Sequence, residues 1–303
     1  MPTIDLSTPP RRQPGLLEAL PRRVTVNLPE LRLLAERAGG APLPFERASA
    51  PGSSPLERRL GASQTSTEDA AYARALGSLH DPEESLGTRG LLEESAGLVG
   101  AIGLLAAPAI AIDLDITAGP TQARIWNRSD GPAMASLATV DGLVFELVWG
   151  DTSQWAEELA RIAVLPEEVA LTPSQVPPVL TLPFPLADAA AEAARSGRSD
   201  LIPVLAAQYD GAVTASRGQS LSAAASAVAL GALAGEARGR LRALVTQIGD
   251  SPAPIGVVSW TLLNDGWHAI RPRFGSQPRV EICLVTAADL GTELAPVLAE
   301  VAG

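Results

Sequence analysis

The sequence predicts an α+β fold in which a central, mostly antiparallel β-sheet has two duplicated halves in a pseudo-twofold arrangement, flanked by helices. Two observations carry this prediction. The same order of elements, a helix, several strands and a closing helix, occurs around residues 88–165 and again around residues 223–302. In both copies, glycine-containing turns separate runs rich in β-branched and aromatic residues, which is typical of antiparallel hairpins. Pairing the two half-sheets would give one broad sheet.

The first elements along the chain precede the repeat. Residues 1–22 are rich in Pro and Arg and are predicted to be a flexible N-terminal extension. Residues 24–27 alternate like a short strand. Asn27, Pro29 and Glu30 then mark the start of the helix PELRLLAERAG (29–39), which ends at glycine. Residues 40–67 are dominated by Pro, Gly, Ser and Ala, which predicts an irregular surface segment. A helix is then predicted over residues 67–75.

The first copy of the repeat opens with an apolar helix at residues 91–107, which stops at Pro108. Asp141-Gly142 separates two of the strands that follow, as expected of a hairpin turn. Asp113 and Asp115 alternate with apolar residues and so share one face of their strand. A solvated sheet face explains this pair more simply than an acid pair does. The predicted strands are AIAIDLDIT (109–117), QARIWNR (122–128), PAMASLATV (132–140) and LVFELVWG (143–150), closed by the helix WAEELARIAVL (155–165).

The second copy follows a connection at residues 166–188, in which closely spaced prolines predict an extended linker. Residues 23–303 are therefore predicted to form a single domain, with a first half at 23–165 and a second half at 189–303. Two Ala-rich helices precede the repeated unit, and Asn264-Asp265-Gly266 marks its hairpin. Its predicted elements are the helix AVALGALAGEARGRLRALVTQ (227–247), the strands GVVSWTLL (256–263), WHAIRPRF (267–274) and RVEICLVT (279–286), and the closing helix ADLGTELAPVLAEVA (288–302).

The composition excludes several function classes. The chain has 303 residues and a formal net charge of −11 at pH 7. An acidic surface argues against nucleic acid and anionic membranes as partners, because both are polyanions. All 23 basic residues are arginine, which is typical of coding in a GC-rich genome.

Three features favour a cytoplasmic protein that is not inserted in a membrane. Cys283 is the only cysteine, so an internal disulfide is impossible, and its apolar strand predicts a buried, inert thiol. The N-terminus has prolines where a signal peptide needs an apolar run. The apolar stretch at residues 98–116 is interrupted by Pro108 and by two aspartates, so it is interpreted as a buried helix and a strand.

The sequence contains no pattern for a metal, a cofactor or a reaction centre. The two histidines, His80 and His268, are far apart, and with one cysteine they offer no metal-ligand spacing. A phosphate-binding GxxxxGK[ST] loop is excluded because the chain has no lysine. The glycines at residues 97–103 lie within an apolar helix and not at a strand-to-helix turn. We therefore expect no enzyme activity, no metal and no cofactor.

The order of these elements resembles the EspG family, the type VII secretion-associated proteins of actinobacteria. VTVNLPELRLLAERAGGAPLPFE (24–46) is similar to the opening strand, helix and Pro-containing segment of that family. APGSSPLERR (50–59) and LGTRGLLEESAGLVGAIGLLAAPAIAIDLDI (86–116) resemble its Glu-Arg stretch and its helix that ends in Pro before a strand. VVSWTLLNDGWHAIRP (257–272) and RVEICLVTAADLGTELAPVLAEV (279–301) resemble its terminal strands and leucine-rich helix.

The resemblance implies a non-catalytic, ATP-independent cytosolic chaperone. Members of the family bind the helical tip of a PPE protein within a PE/PPE heterodimer, keep it soluble and deliver it to the ESX secretion machinery. Because Trp and Arg are common interface anchors, the candidate partner-binding residues are those on or beside the predicted hairpin strands. They are Arg124, Trp126, Arg128, Trp260, Trp267, His268 and Arg271.

The sequence is also compatible with three alternative interpretations. The tryptophans are equally well interpreted as core residues. A small-molecule-binding or hydrolytic enzyme with a pocket between the halves would require His268, Arg271 and Asp265 to converge. A third interpretation is a structural scaffold that self-associates into a homo-oligomer and has no secreted client.

Overall fold

Eleven strands form one sheet in the part of the chain that the computed structural model describes, residues 20–46, 77, 80–92, 96–249 and 252–302. Every pair of neighbouring strands is antiparallel. The strands are β1 (Arg22–Asn27), β2 (Ile110–Ala118), β3 (Thr121–Asp130), β4 (Ala133–Thr139), β5 (Val144–Asp151), β6 (Val179–Pro183), β7 (Thr214–Ala215), β8 (Gly239–Gln247), β9 (Ala253–Leu263), β10 (Gly266–Arg273) and β11 (Arg279–Val285).

Helices cover both faces of this sheet. The predicted first helix begins where expected, because the side chain of Asn27 accepts a hydrogen bond from the backbone N–H of Glu30 and the Glu30 carboxylate accepts one from the backbone N–H of Asn27. The α-helices of the described ranges are α1 (Leu28–Arg37), α2 (Pro82–Thr88), α3 (Ala96–Ala106), α4 (Trp155–Ile162), α5 (Phe184–Arg195), α6 (Ile202–Gln208), α7 (Ala223–Gly235) and α8 (Asp289–Ala302).

The strand order shows the predicted duplication. It runs β1-β5-β4-β3-β2-β8-β9-β10-β11-β6-β7, so β2 and β8 meet at the seam between the two halves. On one side α3, four strands and α4 follow in order, and on the other side α7, four strands and α8 do the same. Because antiparallel neighbours are related by a local twofold axis, the halves are arranged around the point where Leu114 pairs with Ala243. The α+β prediction with a pseudo-twofold antiparallel sheet is confirmed.

The predicted helix over residues 227–247 is wrong in its second half. Helix α7 ends at Gly235, and residues 239–247 form strand β8. In β8 the side chains of Leu241, Ala243 and Val245 are buried while Arg240 and Arg242 are exposed, which is the two-residue period of a strand. Pairing with β2 and β9 satisfies the backbone groups of this segment on both sides. The second copy therefore has four strands, as the first copy has.

The Pro-rich connection also differs from the prediction at its end. Residues 179–183 form β6, which pairs with β11, and α5 begins at Phe184. Only the part before residue 179 connects the halves without joining the sheet. The division of residues 23–303 into two halves of one domain remains a proposal. Residues 1–19 of the predicted extension and the helix predicted over 67–75 lie outside the described residues.

The two faces of the sheet are covered differently. On the closed face, α4 and α8 pack side by side over the middle of the sheet and bury the alternate side chains of β2, β8 and β9. On the opposite face, which we call the open face, two separate clusters cover the two ends. One contains α1, α2 and α3, and the other contains α5, α6 and α7. The middle strands are left uncovered on the open face by the described helices.

Cys283 lies in the closed-face core and is expected to resist alkylation by iodoacetamide at neutral pH in the folded protein. Burial raises the pKa of its thiol, although the Arg271 guanidinium acts in the opposite direction. The reactive thiolate is therefore scarce as well as inaccessible. Mass spectrometry should detect no labelling of the native chain and complete labelling in denaturant. Rapid labelling of the native protein would show that this strand opens readily.

No helix in the described ranges is both long enough and apolar enough to span a bilayer.

Candidate functional site

The uncovered middle of the open face is formed by four neighbouring strands, β3, β2, β8 and β9. Their side chains on this face lie in three parallel rows that cross the seam between the halves, and we call this surface the central strip. Each row contains one residue from each strand. The rows are Trp126, Asp113, Leu244 and Val257; Arg124, Asp115, Arg242 and Ser259; and Gln122, Thr117, Arg240 and Thr261.

The central strip carries a positive excess on a negatively charged protein. Arg128 reaches Asp113 at 2.7 Å, and Arg124 lies 3.8 Å from Asp115. The side chains of Arg240 and Arg242 form no ion pair or hydrogen bond within the described ranges. The central strip thus has three arginines and two aspartates, and the buried Arg128 beside it adds a fourth positive charge, although the whole chain has a net charge of −11. Such a surface favours a partner that presents acidic groups, which would guide its approach and orientation.

Two uncharged helices flank the central strip on the open face. Helix α3 reads AGLVGAIGLLA and helix α7 reads AAASAVALGALAG. A helix that is apolar on all sides is normally fully buried. Here each helix buries one side and exposes another, with Val99 of α3 and Val228 of α7 about half exposed. Exposed apolar surface of this kind is typical of a protein interaction site.

Each of these helices also borders a groove. A groove of about 440 Å³ runs between α5 and α7. Small Ala side chains of the two helices line its walls, and Thr261 and Ile270 of the sheet line its base. A second groove, of about 410 Å³, lies along α3 beside Trp149. In α3 a Cβ atom at Gly100 or Gly103 would meet no atom within 4 Å, so this side of the helix is open. Both grooves are lined mainly by apolar side chains.

The structure places only two of the predicted partner-binding residues within reach of a partner on this surface. Arg124 is exposed and Trp126 is half-buried, and both lie in the rows of the central strip. Arg128 points to the same face but is buried, where it holds Asp113 and donates to the backbone oxygen of Asn127. Its contribution is to fix the position of Asp113.

The structure places the other predicted site residues away from the exposed surface of the central strip. Trp260 and Trp267 lie in the closed-face core, 1% and 3% exposed, because strand alternation turns them away from Ser259 and Thr261. Arg271 also lies on the closed face, where it pairs with Glu293 and Glu281.

His268 is fully buried, with Nε2 2.9 Å from Asp265 Oδ1. Because Arg271 is on the other face of the sheet, the His268, Asp265 and Arg271 set that a hydrolytic pocket requires is not brought together. No group of three or more potential metal ligands occurs among the described residues.

Several residues of the surface escaped the sequence prediction. The sequence predicts a helix for Arg240, Arg242 and Leu244, so it does not predict their alignment with β2. The alternation of Arg240, Leu241, Arg242 and Ala243 was the available signal, since period-two patterning indicates a half-exposed strand. Val257 carries no such signal, because its exposure depends on no helix of the described ranges covering it.

Comparisons with known proteins establish the fold but not the family. No protein-family model matches the chain, and no curated protein matches it. Among solved structures, the chain is similar to a chain in the structure of the Mycobacterium tuberculosis type VII secretion system chaperone EspG5 in complex with a PE25–PPE41 dimer. The similarity covers 91% of this chain and 96% of the other, with 14% sequence identity and a TM-score of 0.54. The chain has an EspG-like fold.

Proposed function

We propose that this protein is a cytosolic type VII secretion chaperone that binds a helical, PE/PPE-like substrate, keeps it soluble and delivers it to the ESX machinery. The observation that carries the proposal is the central strip between two uncharged, partly exposed helices. The EspG-like fold supports the same role, since the matched structure is that of a chaperone in complex with a PE25–PPE41 dimer.

The dimensions of the central strip suit a helix lying across the strands. Neighbouring strands are about 4.8 Å apart, and one turn of an α-helix rises about 5.4 Å. A helix in this direction would place roughly one side chain over each strand. Four strands span about 14 Å, the length of about ten helical residues. The partner helix would reach the apolar surfaces of α3 and α7 at its two ends.

The two kinds of surface have different roles in this proposal. The grooves at α3 and α7 cover apolar side chains of the partner, which would otherwise be exposed and promote aggregation. The rows of Arg and Asp favour one orientation of the bound helix, because misaligned charges would be left unpaired. Neither role requires a bond to be broken or a nucleotide to be hydrolysed, so we propose a non-catalytic chaperone.

Val257→Asp tests the proposal directly. The substitution places a carboxylate beside the apolar Leu244 of the central strip, which should weaken partner binding at least about tenfold, corresponding to about 1.4 kcal/mol. Tagged wild-type and variant chains are expressed in the host, and the co-purified partner is identified by mass spectrometry. The affinity is then measured with the purified pair.

Val164→Asp is the matched control, because Val164 is also exposed but follows α4 at the end of the closed-face layer. The control should retain the partner with wild-type affinity, and both variants should keep the wild-type thermal midpoint. Equal binding by Val257→Asp and the wild type would rule out the central strip as the binding surface. If the wild type yields no secreted helical partner and is a stable homo-oligomer by native mass spectrometry, the scaffold interpretation replaces the chaperone.

A further inference from the structure

A second recognition feature adjoins the central strip at the first half of the sheet. Phe45, Trp126 and Phe145 form an aromatic cluster, in which the ring centres of Phe45 and Trp126 are 5.5 Å apart and those of Phe45 and Phe145 are 5.3 Å apart. They line an open cavity of about 450 Å³, together with Leu28 and Val140. We call this cavity the aromatic pocket.

Two arginines at the rim of the aromatic pocket are held only weakly. Arg32 lies 3.5 Å from Glu46 and Arg124 lies 3.8 Å from Asp115, and all four side chains are well exposed. Exposed ion pairs at such distances contribute little, so these guanidinium groups are available to another carboxylate. No hydrogen bond joins the indole N–H of Trp126 to any residue of the described ranges.

The charges around the aromatic pocket also restrict what it accepts. Asp141 lines the pocket. Its carboxylate accepts hydrogen bonds from the backbone N–H groups of Leu143 and Val144, so it stabilises the turn in which it lies. Glu46 lies at the rim as well. These two carboxylates oppose a compact polyanion such as phosphate. A single carboxylate attached to an apolar group avoids them by binding on the Arg124 side.

We propose that the aromatic pocket binds one apolar side chain of the partner helix while Arg124 binds an acidic residue one turn further along that helix. The inference rests on the proposed function and names the chemistry of the partner. Thr139 and Val140 of β4 line the aromatic pocket, and Thr139 pairs with Arg124 of β3. The pocket is thus offset from Arg124 by about one strand, so a helix lying across the strands meets the pocket and then Arg124 about one turn further along. Aromatic and Arg residues together form strong anchor sites in interfaces, and Arg binds a carboxylate in a fixed, two-pronged geometry.

Designed peptides test this chemistry with the full chain. The probe is a fluorescently labelled, Ala-rich peptide of about 16 residues, long enough for marginal helicity, with Phe followed four positions later by Glu so that both lie on one face. Matched peptides carry Lys in place of Glu, or Ala in place of Phe. Fluorescence anisotropy should show that the Phe/Glu peptide binds about tenfold more tightly than either, a difference typical of an anchor residue.

Variants of the protein assign the two contributions. Arg124→Gln should abolish the preference for Glu over Lys, and Trp126→Ala should abolish the preference for Phe over Ala. Arg273→Gln is the matched control, since Arg273 is similarly exposed but lies on the closed face. It should change neither preference. Because Arg124 is a surface residue, its variant remains informative even if Trp126→Ala lowers the thermal midpoint.

The outcomes separate this inference from the proposed function. Equal affinity for all three peptides, or an unchanged Glu preference in Arg124→Gln, would overturn the aromatic pocket as a recognition site. If the natural partner is lost in Val257→Asp but retained in the Trp126→Ala, Arg124→Gln double variant, the pocket is rejected and the chaperone proposal stands. If the wild type has no helical partner, the chaperone proposal itself is rejected, whatever the peptides show.

Discussion

Trp267→Ala is expected to lower the free energy of unfolding by about 3–5 kcal/mol, the usual cost of removing a buried Trp side chain. Trp267 is 3% exposed and packs beside Trp260, with ring centres 6.2 Å apart. Its indole N–H donates to the backbone oxygen of Ala163 at 2.9 Å, at the end of α4. The substitution therefore leaves a cavity and a buried acceptor without its donor. Urea denaturation followed by circular dichroism measures the loss.

Two controls separate packing from hydrogen bonding and from partner binding. Trp267→Phe retains much of the ring but loses the donor, so its cost should be nearer 1–3 kcal/mol. Trp126→Ala removes a half-buried tryptophan on the open face and should cost less stability than Trp267→Ala. If Trp267→Ala kept wild-type stability and lost only partner binding, the closed-face core would be wrongly assigned.

Gly239→Val is expected to destabilise the protein by about 3 kcal/mol, at the upper end for added bulk in a packed site. Gly239 begins β8 and pairs with Ala118 of β2 at the seam between the halves. A Cβ atom there would lie far inside van der Waals contact with the backbone oxygen of Thr117, and 3.0 Å from Leu262 Cβ. Because Thr117 O belongs to the backbone of the paired strand, the strands must separate. The same denaturation experiment reports this loss.

Gly100→Ala in α3 is the matched control for an added side chain. Its Cβ would meet nothing within 4 Å, and Ala has the higher helix propensity by up to about 1 kcal/mol. This variant should be as stable as the wild type or slightly more stable. A Gly239→Val chain with wild-type stability would mean that β8 does not pair with β2 as described. The rows of the central strip, which depend on this pairing, would then be wrongly assigned.

The seam between the two halves matters for function because it creates the proposed binding surface. Asp113 and Asp115 come from β2, whereas Arg240 and Arg242 come from β8, and each row of the central strip needs both strands. Neither half alone presents such a row. The flanking helices α3 and α7 are also contributed one by each half. The duplication therefore supplies a surface that a single copy of the unit does not possess.

Local patterns in the sequence were sufficient for most of the secondary structure. Alternating residues predicted the strands of the first copy, and the turns at Asp141-Gly142 and at Asn264-Gly266 were predicted because Gly tolerates a positive φ. The capping pair Asn27 and Glu30 marked the start of α1. These signals are local, since each depends on the backbone conformation of a few neighbouring residues, and the repeat of their order was enough to predict the α+β class.

Tertiary structure alone decided where β8 lies and which side chains are exposed. Residues 239–247 contain enough helix-favouring residues to be compatible with a helix or a strand. Pairing of this segment with β2 on one side and β9 on the other stabilises the strand. Alternation shows that Trp260 and Ser259 face opposite ways, but not which face a helix covers. Packing of α4 and α8 buried Trp260 and Trp267, while the gap between the helix clusters exposed Arg242 and Val257. Burial depends on contacts between residues distant in sequence, and these become visible only when the chain is folded.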